Sequence, residues 1–203
     1  MSDFVHLHCH SEYSLLDGLP HPKDLAARAA ELQQSALALT DHGSMYAAIE
    51  FYDACQAKNV KPIIGVEAYL AKRRMKDKDS KEDRSSNHLL LLAENDEGYH
   101  NLLKLVSASE LEGFYYYPRV DHELLAKHSA GLIVTTGCPS GEVPRFLHDG
   151  RKEDARKAFA WYRDVFKDRF YVELQEHGIA EFAGLDKELI ALAREFNVPL
   201  VAT

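Results

Sequence analysis

Short apolar runs alternate along this chain with stretches whose apolar side chains recur every three or four residues, and that alternation leaves few folds open. The runs are Phe4–His8, Ser35–Leu39, Lys61–Leu70, His88–Leu92, Leu132–Thr136, Phe170–Leu174 and Val198–Thr203. Between them lie helical patterns. Pro22 suits a helix start and is followed by Leu25, Ala29 and Leu32; Met45, Ala48, Ile49, Tyr52 and Cys55 come next. Tyr99, Leu102, Leu103 and Val106 form a third stripe, Ala155, Ala158, Phe159, Tyr162, Val165 and Phe166 a fourth, and Phe182, Leu185, Leu189, Leu192 and Phe196 a fifth. Apolar strands separated by helices predict a parallel α/β fold. A barrel is favoured over an open sheet, because polar residues cluster just after several different strands and a barrel gathers those ends on one face. An open doubly wound sheet would use one switch point with a glycine-rich turn, and no such turn is present.

Composition narrows the class. With 203 residues and 46% apolar content the chain suits one sizeable domain. Three scattered cysteines, Cys9, Cys55 and Cys138, make no disulfide framework, and neither a secretory signal nor an apolar run of membrane length is visible. A reducing, cytoplasmic setting is expected. The net charge of −8 argues against a broad basic surface for nucleic acid, but not against a local site where metal ions supply the positive charge. Residues 72–87 interrupt the alternation: eleven of the sixteen are charged and Met75 alone is apolar, which predicts a mobile surface loop.

The chemistry lies in the histidines and their neighbours. His6, His8 and His10 stand two apart, so an extended backbone turns all three imidazoles to one face. Such a set suits a metal better than a core, with His6, deepest in the strand, a packed or supporting residue. In Thr40-Asp41-His42-Gly43 a histidine ends a buried strand, which favours function. Glu67 is a carboxylate inside an apolar strand, either a ligand or half of a buried ion pair. On spacing alone Asp17, before Gly18, is a turn residue, His88 an ordinary strand-start histidine and Cys138 a small buried hydrophobe. Glu173 and His177 lie at another strand end. Imidazoles, carboxylates and a thiol together suit Zn²⁺, or Mn²⁺ where oxygen dominates. More than four donors imply more than one ion, as phosphate ester hydrolysis uses.

The stretches His8-Cys9-His10-Ser11-Glu12-Tyr13-Ser14-Leu15-Leu16-Asp17-Gly18, Leu39-Thr40-Asp41-His42-Gly43 and Gly65-Val66-Glu67-Ala68-Tyr69 resemble the polymerase and histidinol phosphatase (PHP) family. Glu112-Gly113-Phe114-Tyr115, Tyr117-Pro118-Arg119-Val120-Asp121 and Thr135-Thr136-Gly137-Cys138-Pro139-Ser140-Gly141-Glu142-Val143 narrow the resemblance to the N-terminal PHP domains of bacterial replicative DNA polymerases, over Phe4 to Thr203. The resemblance implies a distorted (β/α)₇ barrel with up to three Zn²⁺ or Mn²⁺ ions at the C-terminal strand ends. His8 and His10 would hold one with Glu67, Asp17 and His42 a second, and His88 and Cys138 a third to which Glu67 bridges. In the family the last strand continues into an Asn-Asp-x-His segment carrying two more ligands, beyond Thr203, so the chain reads as part of a longer DNA-directed DNA polymerase. The implied activity is a metal-dependent 3′–5′ exonuclease that proofreads, with His8, His10, Asp17, His42 and Glu67 at its centre. Arg119 is a candidate phosphate contact or a surface ion pair. Implied partners are the 3′ end of DNA, the remaining polymerase domains, a separate exonuclease subunit and other replisome components. The alternatives are a docking module whose metals are vestigial and a phosphomonoesterase. A deaminase of the amidohydrolase type also begins with His-x-His, but the Cys138 context speaks against it.

Overall fold

The computed structural model describes residues 4–175, 178–179, 182 and 184–203. Its strands form a seven-stranded sheet in the order β1-β2-β3-β5-β6-β7, with β4 pairing on β2, curled so that its two flanks meet at one mouth. β1 (Ala36–Leu39) is buried along its whole length and runs parallel to the first half of β2 (Lys61–Leu70). At Gly65 β2 changes partners, from β1 to β3 (Asn87–Ala93). A Cβ there would lie 2.5 Å from the Leu91 carbonyl oxygen and 2.9 Å from Thr40, so the crossing needs a glycine.

The sequence predicts parallel strands throughout, and β3 departs from this. It runs antiparallel to both β2 and β5 (Leu132–Thr135), because the described segment between β2 and β3 contains no helix to carry the chain back across the sheet. The consequence is functional. The reversed strand places its first residues, among them His88 opposite Tyr69, at the end where the parallel strands finish. The rest of the sheet is parallel, with β5, β6 (Phe170–Leu174) and β7 (Leu200–Ala202) in succession.

Helices cover the outside. α1 (Pro22–Glu31) opens on its proline and buries Pro22, Ala26 and Ala29, a stripe at helical spacing. With α2 (Ala48–Ala57) it closes a small core around Leu37, Leu39, Phe51 and Cys55. The larger core lies under α3 (Asp96–Leu111), α6 (Lys152–Phe166) and α7 (Leu185–Phe196). α6 sinks Phe159, Tyr162 and Phe166, and the first two rings reach Phe170 of β6 at 4.9 and 5.6 Å. Each such burial contributes roughly 1.5–3 kcal/mol. Periodicity did not reveal β4 (Arg119–Val120), α4 (His122–Lys127) or α5 (Glu142–His148), all too short to show a period. No helix among the described residues is long and apolar enough to cross a membrane.

The predicted first strand is a second departure. Residues 4–10 run extended beside β1 without forming a regular ladder. His6 O accepts from Ala38 N–H and Cys9 O from Thr40 N–H, so three steps here match two on β1. The Thr40 hydroxyl fills the gap by accepting from Cys9 N–H. This bulge breaks the period of two: His8 and His10 turn inward, while His6 is exposed and packs edge-on against Phe4, so it is not the supporting residue its depth suggested.

Residues 72–86 contain no helix or strand, as their charge predicts, but they are tethered. Arg73 donates twice to Asp83, Met75 is buried, and Asp121 accepts from Met75 N–H. Arg119 is the main anchor. It is 1% exposed and donates to the carbonyls of Gly113, Asp83, Met75 and Asp77, which corrects both readings of it: a guanidinium enclosed by four backbone oxygens neither contacts phosphate nor forms a surface ion pair.

Candidate metal centre

Glu67 sits in the half of β2 that faces the mouth, its side chain almost wholly enclosed. Beside it, just past β1, His42 is bridged to Glu67 through the backbone: Glu67 N–H donates to Asp41 O and Gly43 N–H to Glu67 O. Asp41 faces the other way. Its carboxylate accepts from Ser11 N–H, the Ser11 hydroxyl and the Ser14 hydroxyl, all at 2.7–2.8 Å, and fastens the loop that brings Asp17 to the mouth. That loop closes only with Gly18, where a Cβ would sit 1.8 Å from Ser11 O.

Four imidazoles converge on the Glu67 carboxylate. His8 Nε2 lies 3.2 Å and His88 Nδ1 2.9 Å from Oε1, and His10 Nε2 lies 2.9 Å and His42 Nδ1 3.0 Å from Oε2. Asp17 Oδ2 joins the far nitrogens of two of them, His10 Nδ1 at 2.5 Å and His42 Nε2 at 3.0 Å. The Cys138 thiol lies 3.4 Å from Glu67 Oε1 and 3.6 Å from His88 Nδ1. Three overlapping sets of donors result, His8-His10-Glu67, His10-Asp17-His42 and His42-Glu67-His88, each with its ligand atoms within 4.8 Å of one another. Among the buried polar atoms that make no hydrogen bond are His10 Nε2, His42 Nδ1 and Glu67 Oε2, close together yet misdirected for hydrogen bonding. Buried polar atoms are otherwise almost always paired, and a shared cation satisfies all three at once.

Electrostatics follow from this crowding. Burial works to raise the Glu67 pKa, but the imidazoles of His10, His42, His8 and His88 outweigh it and hold the carboxyl well below the usual range. Burial works to lower His8, yet Glu173 and Glu67 raise it to about 10. The Cys138 thiol is pushed up to about 12 by burial and by the nearby Glu67 charge, so it ionises only with a cation beside it.

All seven residues that the family resemblance implies as ligands, His8, His10, Asp17, His42, Glu67, His88 and Cys138, meet at this mouth. His177 lies outside the described residues. Glu173 of β6 plays a larger part than its sequence suggested. It accepts from His8 Nδ1 at 2.7 Å, from the Thr203 hydroxyl and Gln175 amide at 2.8 Å, and from the Thr135 hydroxyl. With Nδ1 so occupied, Nε2 faces Glu67, the arrangement by which a carboxylate fixes a metal-binding histidine. The only signal in the sequence was a charged residue in an apolar strand, the same one Glu67 gave.

A mouth of this composition at the strand ends of a curled α/β sheet defines a class. The sequence matches the PHP domain over residues 6–177, and the chain belongs to that family. Along nearly all its length it is similar to DNA polymerase III subunit alpha of several bacteria. It is 47% identical to the protein of Borreliella burgdorferi over 202 residues (99% of this chain, 18% of that one) and 44% identical to that of Campylobacter jejuni over 213 residues (100% and 18%). The protein of Deinococcus radiodurans is 44% identical over 208 residues (98% and 16%). The chain thus spans less than a fifth of the length of these curated relatives. The crystal structure of a candidate metal-dependent phosphoesterase from Bifidobacterium adolescentis shares the fold, with a TM-score of 0.61 at 14% identity, covering 99% of this chain and 87% of that one.

Proposed function

We propose that residues 1–203 form the N-terminal PHP domain of a cytoplasmic bacterial DNA polymerase III alpha subunit, and that the mouth holds up to three Zn²⁺ or Mn²⁺ ions for 3′–5′ hydrolysis of DNA. The observation that carries this reading is the convergence of His10 Nε2, His42 Nδ1 and Glu67 Oε2, buried and without hydrogen bonds, within a set of seven donors. His8, His10 and Glu67 would hold one ion, Asp17 and His42 a second, and His88 and Cys138 a third beside Glu67. Such ions supply a water of lowered pKa and positive charge against the phosphate as it reacts. The chain's own groups set the geometry: Glu173 orients His8, Asp17 reaches His10 Nδ1 and leaves its Nε2 toward Glu67, and the Asp41 bonds hold the Asp17 loop in place. Every ligand that the family resemblance implies within residues 4–203 is present, which favours hydrolysis over a purely docking role.

The test is the metal content of the chain purified without added metal, followed by cleavage of a single-stranded oligodeoxynucleotide. About two or three equivalents of metal, lost in His8→Ala and His10→Ala together with release of mononucleotides, are expected. Folded protein that leaves DNA intact but binds a separate exonuclease subunit would assign the docking role. Release of inorganic phosphate from small phosphomonoesters, with DNA untouched, would assign a phosphomonoesterase.

A further inference from the structure

Aromatic rings continue outward from the metal-binding histidines. His42 stacks on Tyr69 with centroids 5.7 Å apart and planes at 15°, and Tyr69 meets Tyr117 at 4.6 Å. Tyr117 is 43% exposed, and the adjoining Tyr116 and Phe114 are 54% and 51% exposed. Tyr116 has φ +61°, a left-handed backbone that a bulky side chain adopts at a cost of about 1–3 kcal/mol. The turn is held so from below. Arg119 bonds the Gly113 carbonyl and lies 5.4 Å over the Tyr115 ring, while Tyr115 N–H donates to Tyr117 O. Arg84, from the charged loop, lies 5.5 Å over Tyr116, and among the described residues no carboxylate pairs with it. On the Asp17 side of His42 the loop exposes Leu15 and Leu16 almost fully, Leu16 again at a positive φ of 67°.

We propose that Tyr117 and Tyr116, with Arg84, form a stacking platform for the unpaired bases of a single-stranded DNA 3′ end, joined to the metal centre through the half-buried Tyr69 and leading the terminal phosphate to it. Three features favour this occupant. The ring row is continuous with a metal ligand, so whatever rests on it reaches the centre. A chain of net charge −8 lacks the broad basic surface that grips a phosphate backbone, which leaves stacking and the metal centre to supply affinity. Every base offers a flat π-face but a duplex hides it, so such a platform selects frayed or mismatched ends without reading sequence.

The proposal rests on the DNA-hydrolysing reading above, and a binding measurement separates the two. The probe is a short single-stranded oligodeoxynucleotide with 2-aminopurine at its 3′ terminus and a phosphorothioate at the last linkage, titrated into the metal-loaded chain. Tyr117→Ala and Tyr116→Ala are each expected to weaken binding about tenfold or more, with metal content unchanged, and to lose the quenching that stacking causes. Tyr117→Trp should restore both. Binding of the probe by both alanine variants at the wild-type level, with metal intact, overturns the platform and leaves hydrolysis standing. Metal-loaded wild type that does not bind the probe and does not cleave the same oligodeoxynucleotide without the phosphorothioate overturns both. Should Tyr117→Ala fail to fold, Tyr116→Ala, at the more exposed of the two tyrosines, decides the question alone.

Discussion

Arg119→Met keeps a long unbranched stem in place and removes the guanidinium, so its effect measures the clamp itself. The wild-type side chain is 1% exposed, with Nε 3.1 Å from Gly113 O, Nη1 3.2 Å from Asp83 O, and Nη2 2.7 and 2.8 Å from Met75 O and Asp77 O. Gly113, Asp83 and Met75 are themselves buried, so three carbonyls lose a charged donor where water enters poorly. At about 1–2 kcal/mol for each such acceptor the loss is roughly 3–6 kcal/mol. Part is recovered, because methionine has no charge to desolvate; burial already pushes the guanidinium pKa down. A net destabilisation of about 2–4 kcal/mol remains. Urea unfolding at unchanged slope should show it as a lower midpoint, and limited proteolysis should open new cuts within residues 72–86. Destabilisation under about 1 kcal/mol with an unchanged digestion pattern would refute the clamp. Native stability with weakened binding of single-stranded DNA would restore the phosphate contact that the buried geometry argues against.

Three further outcomes follow from the mouth. Glu67→Gln removes the carboxylate shared by two of the three donor sets and faced by four imidazoles, so the metal content of folded protein should fall to one equivalent or none; full retention would show that Glu67 is no ligand. Glu173→Ala takes the carboxylate from His8 Nδ1, leaving the Gln175 amide at 3.2 Å, and should weaken metal binding about 10–100-fold in a chelator competition, whereas unaltered affinity would leave Glu173 a purely structural residue. The pH dependence has a definite sign. His8, raised from 6.5 to about 10, adds stability to metal-free protein that is complete below about pH 6.5 and fades as pH climbs through 10. Glu67 and Glu173, both held below 4.5, add stability that is complete above about that pH and fades on further acidification. The metal-free midpoint in denaturant should therefore peak between about pH 4.5 and 6.5, while metal affinity, which requires His8 to release its proton, should rise from about pH 6 to 9. Affinity that stays flat over that range would contradict the assignment of His8.

The sequence by itself determined the alternation of strands and helices, because burying an apolar strand on both faces and an apolar helix stripe on one leaves a periodic trace in the residues. It also marked most of the candidate metal site, since His8, His10, His42 and Glu67 are polar groups in places where an apolar core would not tolerate them unpaired. Asp17, His88 and Cys138 had no such trace and stood out only through the family motif. Tertiary structure alone decided the rest. Whether β3 runs parallel or antiparallel depends on a connection without a helix, and that reversal is what carries His88 to the mouth. The bulge that separates His6 from His8 and His10 depends on how Thr40 meets Cys9, a contact 31 residues apart. Arg119 looked like a surface cation because charge is local in sequence. Its burial depends on four carbonyls, one six residues before it and three more than thirty residues away, which only the folded chain brings together.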